Sequence, residues 1–401
     1  MSARLTGAAL RDFWVLTFAQ ALLFCGFFAF FQFPVFIQHV GGQEREIGII
    51  MGAGAFASTL LIPWIAEFVN RGDRKRLMLG GMGLLAAATL ACLGLTAPDG
   101  WMALLSVLRG LGFAVYVNAS GAYVTGILPA EERSRWIGIN FGFNQIAVAI
   151  GPAVAEWVIL QLGYVAFFLE STGFVLAGMA LIARITRRVP EGGRRPFRLG
   201  QIGREFFRDL GRPDNRYLYL TLLMMACGLG AVFNFTATFL RDLGLSSGLF
   251  FLIYALINAA TRIGGGGVSD KYGRSAVILP TLGVFALGLL LYGTTEGLPM
   301  LIAAALAIGL GFGMSNPAML AQLLDRSPSS THGRVVGSFH FAYQLGALCS
   351  TPLFGVIAQS QGYRPMWRVA GAFAVAAAAV YALGMWRGGR GTAPARAEAR
   401  A

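Results

Sequence analysis

Long apolar runs recur along almost the whole chain, and they restrict its fold more than any other feature of the sequence. A helix needs roughly 20 apolar residues to cross the hydrocarbon core of a membrane, and about twelve runs reach that length. Hydrophobic residues make up 56% of the 401 residues and charged residues only 13%, which is far from the balance of a water-soluble domain. We therefore predict an all-α, polytopic membrane protein. Its predicted transmembrane helices are residues 13–37, 47–69, 77–97, 101–124, 136–160, 164–186, 217–240, 248–268, 276–295, 298–322, 335–359 and 366–386.

The basic residues fall mainly on alternate connections between these spans. Cytoplasmic loops of membrane proteins carry an excess of Lys and Arg, so the pattern predicts that both termini are cytoplasmic. The first run is too long for the apolar core of a signal peptide, which favours a retained helix. The net charge of +13 would suit a nucleic acid only if the basic residues shared one face, and no nucleic-acid partner is expected. We predict a multi-pass protein of the cell membrane, the inner membrane of a bacterium.

One long polar segment, at residues 189–213, divides the apolar runs into two sets. Its many arginines predict a basic cytoplasmic linker, either as a short amphipathic helix on the membrane surface or as a disordered connector. On either side we predict a six-helix bundle, residues 1–188 and residues 214–388. A cytoplasmic tail follows at residues 389–401.

The two halves share a sequence pattern. Arg135 directly precedes the fifth predicted span and Arg334 the eleventh, and Gln145 and Gln344 follow these arginines at the same separation. Such repetition indicates a duplication. Two halves repeated in one orientation predict a pseudo-two-fold axis along the membrane normal, with a binding site near the midplane between them.

The glycine-rich stretch at residues 261–275 lacks both endings of a phosphate-binding loop. Its Gly266, Asp270, Gly273 and Arg274 instead match a Gly-x-x-x-Asp-x-x-Gly-Arg signature, and the chain resembles the major facilitator superfamily over essentially its whole length. In that family the signature lies between helices eight and nine and again between helices two and three. The resemblance implies that these residues form a conformational latch at the cytoplasmic side.

The first copy of the signature departs from the family pattern. Asn70 stands where the family has Asp, and Asp73 stands where it has Gly, although Arg74 is present. Glu67, one turn earlier, either supplies the missing carboxylate or lies at the helix end as a snorkelling acid. The resemblance therefore implies a weaker first latch, built from Glu67, Asn70, Asp73 and Arg74.

Two further motifs match the family in part. Arg109 in the fourth span resembles an arginine of the family's helix-four signature, and an arginine inside a membrane is costly enough to indicate a function. Gly151-Pro152 in the fifth span resembles a signature of proton-driven exporters, but Ala155 and Glu156 replace its closing Gly-Gly. This second resemblance favours export modestly.

Polar side chains within the spans are the candidates for a substrate cavity. Tyr254, Asn258 and Arg262 are four residues apart, so they share one face of a helix, and three polar groups facing lipid would be expensive. The aromatic residues of the first span offer an apolar cavity wall, or they simply face lipid. The isolated amides fit either the cavity or hydrogen bonding between helices. The predicted cavity residues are Gln20, Phe24, Phe28, Phe31, Gln32, Arg109, Asn118, Asn140, Asn144, Gln145, Asn234, Tyr254, Asn258, Arg262, Asn316, His340, Tyr343 and Gln344.

Coupling to protons requires a group that changes charge during the cycle. His340 titrates near physiological pH in its ordinary state, and Glu156 is one of few acids near a span. We favour these two, with Arg109 as a further candidate. Cys25, Cys92, Cys227 and Cys349 lie within apolar runs without the spacing of a metal site or a disulfide framework, so we predict small core residues, with no metal and no cofactor.

These observations predict a secondary transporter, not an enzyme, that works by alternating access as a monomer. The expected partners are a small organic substrate, protons and the lipid bilayer, and proton-coupled export is the favoured direction. Arg109 and Arg262 have few acids to balance them, so proton-coupled uptake of an organic anion is the alternative. A membrane scaffold or membrane enzyme without transport is a third hypothesis, which no catalytic constellation supports.

Overall fold

A computed structural model of the protein describes residues 7–128, 133–186, 215–327 and 332–389. The predicted linker and all but the first residue of the predicted tail lie outside these ranges. Every regular element in the described ranges is helical. The helices are α1 (Gly7–Phe28), α2 (Phe33–His39), α3 (Glu44–Arg71), α4 (Arg74–Ala91), α5 (Gly100–Ile127), α6 (Arg133–Ala183), α7 (Arg216–Asp242), α8 (Ser247–Tyr272), α9 (Arg274–Tyr292), α10 (Leu298–Asp325), α11 (His332–Gln361) and α12 (Tyr363–Gly389).

The first predicted span begins earlier than the sequence indicated and contains two helices. A short 3₁₀ segment, Ala29–Gln32, joins α1 to α2, and Pro34 occupies the first turn of α2. Proline is tolerated there because the first turn of a helix does not use its backbone N–H groups. Residues 7–39 therefore form one continuous apolar segment.

Helix α6 covers two predicted spans and is interrupted between them. Gly163 has φ 81° and ψ −177°, a backbone conformation that favours glycine and that no helix can contain. The interruption falls between the predicted spans 136–160 and 164–186. The helix axis is therefore broken at this residue.

Nine helical segments of the described ranges are long and apolar enough to cross a membrane. One of them, Gly142–Ala183, contains the interruption at Gly163, and a shorter apolar segment runs from Ser247 to Arg262. Large apolar side chains cover the outside, as at Leu160, which is 74% exposed. A surface of this kind is unsuited to water and suited to lipid. The protein is a multi-pass membrane protein.

Glycines let neighbouring helices approach closely. A Cβ atom at Gly112 of α5 would lie 2.6 Å from the carbonyl oxygen of Gly81 of α4, and a Cβ atom at Gly81 would lie 2.7 Å from the carbonyl oxygen of Gly112. Neither position has room for a larger side chain. Small residues at such contacts are how membrane helices gain packing without a hydrophobic driving force.

The described helices pack extensively both within and between the two halves of the chain. In the first half α1 packs on α6, and α5 packs on α3 and α4; in the second half α7 packs on α11 and α12, and α10 packs on α8 and α9. The halves meet most extensively where α3 packs on α11 and where α6 packs on α8.

The prediction for the cysteines was wrong at one position. Cys25, Cys92 and Cys227 are buried, but Cys349 is exposed. It lies on the side of α11 that also exposes Leu353, four residues further on. An apolar run does not distinguish the outer face of a membrane helix from its inner face, which is why the sequence misplaced this thiol.

Candidate functional site

The contacts between the halves define two sides of the membrane region. We call the side with the turns at residues 40–43 and 243–246 the hairpin face, and the side where α1 begins and α12 ends the terminal face. At the hairpin face the side chains of Gln43 and Gln359 are in contact, and Arg241 donates to Gln38 across the halves at 2.5 Å. Deeper in the same region, Gly48 of α3 packs against the backbone of Thr351 and Pro352 of α11.

Glu156 of α6 closes the other pair of helices at the hairpin face. Its Oε2 atom accepts hydrogen bonds from Ser246 Oγ and Gly248 N, both at 2.6 Å, and its Oε1 atom accepts from Ser247 N at 3.0 Å. These groups form the start of α8, where backbone N–H groups lack partners within the helix and the helix dipole favours negative charge. Glu156 therefore joins the halves through a helix N-terminus.

The end of the first span completes this closure. Gln32 donates to Ser247 Oγ at 2.7 Å and to the carbonyl oxygen of Pro152 at 3.2 Å. The Phe31 ring stacks on Phe233 of α7, with centroids 4.7 Å apart, and lies 5.1 Å from the Phe251 ring of α8. A polar bridge and an aromatic stack thus lie side by side between the halves.

A polar cluster at middle depth forms the deepest link between the halves. The amide oxygen of Asn258 accepts from Gln145 Nε2 of α6 at 2.7 Å and from Arg262 Nε at 2.7 Å, and Asn258 Nδ2 donates to Tyr254 Oη at 3.3 Å. Asn258 lies about 17 Å along α8 from its start and about 21 Å from its end. We call Gln145, Tyr254, Asn258 and Arg262 the central cluster.

Aromatic rings pack along the central cluster. The guanidinium carbon of Arg262 lies 5.8 Å from the centroid of the Phe312 ring of α10, within the range of a cation–π contact. The Tyr343 ring of α11 lies 6.1 Å from the Phe312 ring. The Phe233 ring stands edge-on to Tyr254 at 6.0 Å. Four helices, α7, α8, α10 and α11, thus contribute to this region.

A second polar group lies within the first half. Gln20 of α1 donates to the amide oxygens of Asn140, at 3.2 Å, and Asn144, at 3.0 Å, and Asn140 donates to Thr17 Oγ1 at 3.1 Å. All of these side chains are buried. The amides satisfy one another between α1 and α6, which is the arrangement of polar groups that hold two membrane helices together.

Arg109 lies inside the first half, away from the central cluster. Its Nε donates to Thr89 Oγ1 of α4 at 3.1 Å, and its guanidinium carbon lies 3.0 Å from the centroid of the Phe30 ring. Its Nη2 atom is buried without a hydrogen-bond partner in the described structure. Nearby on α1, Phe24 and Phe28 pack edge to face. Arg109 of α5 thus contacts α4 and the 3₁₀ segment that follows α1.

The other predicted cavity residues are dispersed. Asn234 donates to Thr351 Oγ1 at 3.2 Å, which joins α7 to α11, and Asn118 donates to a carbonyl of its own helix. Asn316 and Gln344 are half-buried. His340 is exposed, and its Nδ1 lies 2.9 Å from the carbonyl oxygen of Val336 one turn earlier.

The structure describes half of the predicted latch residues. Asp73 accepts from Lys75 N and Arg76 N and so caps α4, while Arg74 donates to the carbonyl oxygen of Ala122 on α5 at 2.9 Å. Gly273 has φ 91°, which glycine adopts without strain. Arg274 bonds Asp325 of α10 at 3.2 Å and Ser269 at 2.7 Å. The other four predicted latch residues have side chains or surroundings that the structure does not describe: Glu67, Asn70, Gly266 and Asp270.

Sequence reasoning missed several participants. Asp12 of α1 is fully buried and accepts from Tyr123 Oη of α5 at 3.3 Å. The first span was predicted to begin at residue 13, so Asp12 fell just outside it. Ser247 and Phe312 were also missed, because a serine at a helix start and a phenylalanine in a span carry no individual signal.

Proteins of similar sequence align with most of the chain. The staphylopine export protein of Staphylococcus aureus is 23% identical over 349 residues, which cover 83% of this chain and 85% of that protein. An uncharacterized MFS-type transporter of Methanocaldococcus jannaschii is 20% identical over 372 residues, covering 90% of this chain and 94% of that protein.

Solved structures share the fold. A nucleoside transporter superposes with a TM-score of 0.75 at 13% identity, covering 95% of this chain and 99% of that chain. A bacterial homolog of the human lysosomal transporter Spinster gives 0.75 at 18% identity, covering 94% and 97%. The family model described as Major Facilitator Superfamily matches residues 14–274 and 247–400. This match shows that the chain is a transporter, and not an enzyme, of the Major Facilitator Superfamily.

Proposed function

We propose that the protein exports a small organic compound in exchange for protons, and that it does so by alternating access. The observation that carries this proposal is the placement of the contacts between the halves. They run from the Gln145–Asn258 hydrogen bond at middle depth to the Gln43–Gln359 contact at the hairpin face. A site closed on one side by contacts that can separate is what alternating access requires.

The proposed architecture has twelve spans in two bundles, residues 1–188 and residues 214–388, related by a pseudo-two-fold axis. It takes α1 and α2 as one span and divides α6 into two at Gly163. The proposed orientation puts the terminal face in the cytoplasm of a bacterium, since the basic connections lie on that side. The described form then corresponds to a state closed toward the outside, and the protein acts as a monomer.

Export is supported by two observations of different kinds. The relative from Staphylococcus aureus is by name an export protein, and it aligns with most of this chain. The Gly151-Pro152 element of α6 resembles the signature of proton-driven exporters. Both concern relatives, so the direction of transport in this chain rests on the experiment below.

Glu156 is our proposed site of proton coupling. Its carboxylate accepts hydrogen bonds from the start of α8 as an anion, and a protonated carboxyl would lose the attraction of the helix dipole. Protonation would therefore favour separation of α6 from α8 at the hairpin face. His340, exposed on α11, is the second candidate, and Arg109 is enclosed within one half.

A transport screen in proteoliposomes tests this function. Purified protein is reconstituted and supplied with a panel of small organic compounds, with and without an imposed pH gradient, beside protein-free liposomes. We expect at least one compound to move against the direction of proton flow. Movement of the compound in the same direction as protons would instead support uptake. Transport rates that do not change with the pH gradient would contradict proton coupling.

A further inference from the structure

Arg262 is a cation at middle depth in the membrane region without a carboxylate partner among the described residues. Its only hydrogen bond there is the one from Nε to the amide oxygen of Asn258. An amide carries no net charge, so the positive charge is not neutralised. Ionisable residues inside a membrane are costly and normally pair with one another, so an uncompensated one indicates a function.

Among the described side chains, the acids of the spans lie on other helices than Arg262. Glu156 binds the start of α8, and Glu170 lies on α6 beside Ser171. Arg274, at the terminal end of the same half, shows the usual solution, because it pairs with Asp325 at 3.2 Å. Arg262 differs from Arg274 in having only neutral groups around it in the described structure.

The unused part of the Arg262 side chain has the geometry of an oxyanion receptor. The Nη1 and Nη2 atoms donate to no described residue, and the side chain is only half-buried. Two parallel N–H donors at the end of a planar guanidinium fit the two oxygens of a carboxylate. Asn258 holds Nε and so restricts the direction in which these two donors point.

The surroundings of Arg262 add an aromatic element. The Phe312 ring lies 5.8 Å from its guanidinium carbon, and Tyr343 lies next to Phe312. Gln145 approaches from the other half through Asn258. We propose that the central cluster binds the carboxylate of a small aromatic acid, with Arg262 pairing the acid group and the Phe312 and Tyr343 rings contacting the flat apolar part. This inference rests on the proposed function, since it names the substrate class of the same site.

Arg109, the other uncompensated arginine, does not meet the same conditions. Its guanidinium group is covered by the Phe30 ring at 3.0 Å, and its side chain is 7% exposed. It lies within one half, so a ligand bound there would not contact both halves. Both arginines could pair with a carboxylate, but only Arg262 lies where a ligand would contact both halves.

Binding of indole-3-acetate and of indole-3-acetamide tests the proposal without a transport assay. The two probes share the ring and differ in the charge of the acid group. The measurement is the thermal unfolding of the purified protein in detergent at pH 7.5 over a range of probe concentrations, because a ligand that binds the folded state raises its stability. We expect the acid to stabilise the protein and the amide to have no comparable effect.

Three variants separate the acid receptor from other effects. Arg262→Gln removes the charge and should weaken binding of indole-3-acetate by about tenfold or more, as loss of a hydrogen-bonded ion pair would. Arg262→Lys keeps the positive charge but lacks the two parallel N–H donors, so it should bind indole-3-acetate with intermediate affinity. Arg368→Gln removes one exposed arginine of α12 and should leave binding unchanged.

Equal stabilisation by the acid and the amide would overturn the proposal, and so would unchanged acid binding in Arg262→Gln. If Arg262→Gln does not fold, the comparison of the two probes on the native chain and on Arg262→Lys still decides the question. A protein that binds the acid through Arg262 but moves no compound across liposomes would leave this inference standing and would contradict the transport function.

Discussion

The Oε2 atom of Glu156 lies 2.6 Å from the backbone nitrogen of Gly248, so a carboxylate of the first half caps a helix of the second. The two helices are also closely packed at this point, because a Cβ atom at Gly248 would lie 2.8 Å from the Cα atom of Ala153. The contact is therefore both electrostatic and close-packed. It has to break whenever the hairpin face opens.

Neutralising Glu156 should loosen the hairpin face. Glu156→Gln keeps the size but turns one oxygen into an amide donor that faces the donors of α8. We expect the open population to rise by about tenfold, since a hydrogen bond to a charged group contributes about 1.5–3 kcal/mol. The readout is the rate at which a membrane-impermeant maleimide, added at the hairpin face, labels Gln344→Cys in a chain with Cys349→Ser.

The matched control for this variant is Glu296→Gln. Glu296 is an exposed acid that pairs at 3.5 Å with Arg364 of the same half. Its neutralisation should leave labelling of Gln344→Cys unchanged. Equal labelling in Glu156→Gln and the native chain would show that Glu156 does not hold the hairpin face closed.

Gln145 and Asn258 should behave as one unit. Gln145→Ala removes one hydrogen bond, at a cost of about 1 kcal/mol of stability, whereas Asn258→Ala also leaves Arg262 Nε without an acceptor and should cost about 1–3 kcal/mol. The double variant should cost clearly less than the sum, since both changes break the same bond. Thermal unfolding of the four proteins measures the effect, and strict additivity would argue against the hydrogen bond.

Two glycines of α5 should differ sharply in their tolerance of a larger side chain. Gly112→Val places a branched group against the backbone of Gly81 and should destabilise the protein by about 1–3 kcal/mol through overpacking. Gly121→Val meets open space on the same helix and should have a much smaller effect. Comparison of folded yield and thermal unfolding distinguishes them, and similar behaviour of the two variants would contradict the close contact of α4 and α5.

The orientation of the chain can be tested by labelling intact cells. Arg194→Cys lies in the predicted linker, and Gln361→Cys lies at the end of α11 on the hairpin face. With Cys349→Ser as background, an impermeant maleimide should label Gln361→Cys from outside and Arg194→Cys only after the membrane is opened. Labelling at Arg194→Cys from outside would reverse the assignment from the basic loops.

Regular spacing predicted some contacts well. Tyr254, Asn258 and Arg262 were expected on one face of a helix, and Asn258 bonds both of the others. A spacing of four residues is a local property, which the helix itself converts into proximity. The interruption at Gly163 also falls at the predicted boundary between the spans 136–160 and 164–186.

Contacts between the halves could not be predicted from spacing. Gln145 and Asn258 are separated by 113 positions, and Glu156 and Gly248 by 92. Their meeting depends on how helices distant in sequence pack against one another, which a local sequence pattern does not specify. Glu156 was recognised only as an acid in place of glycine, and its partners are backbone N–H groups that every residue carries. Cys349 shows the same limit, because its side of the helix is set by packing.

The most direct test of alternating access measures one distance at each face. Spin labels at Gln43→Cys and Gln359→Cys report the hairpin face, and labels at Arg76→Cys and Tyr272→Cys report the terminal face; all four native side chains are exposed. Pulsed electron paramagnetic resonance then gives distance distributions for each pair, in the Cys349→Ser background and with Glu156→Gln added. We expect Glu156→Gln to lengthen the hairpin-face distance and to shorten the terminal-face distance. Distances that lengthen together, or that both stay unchanged, would contradict a cycle in which the two faces open in turn.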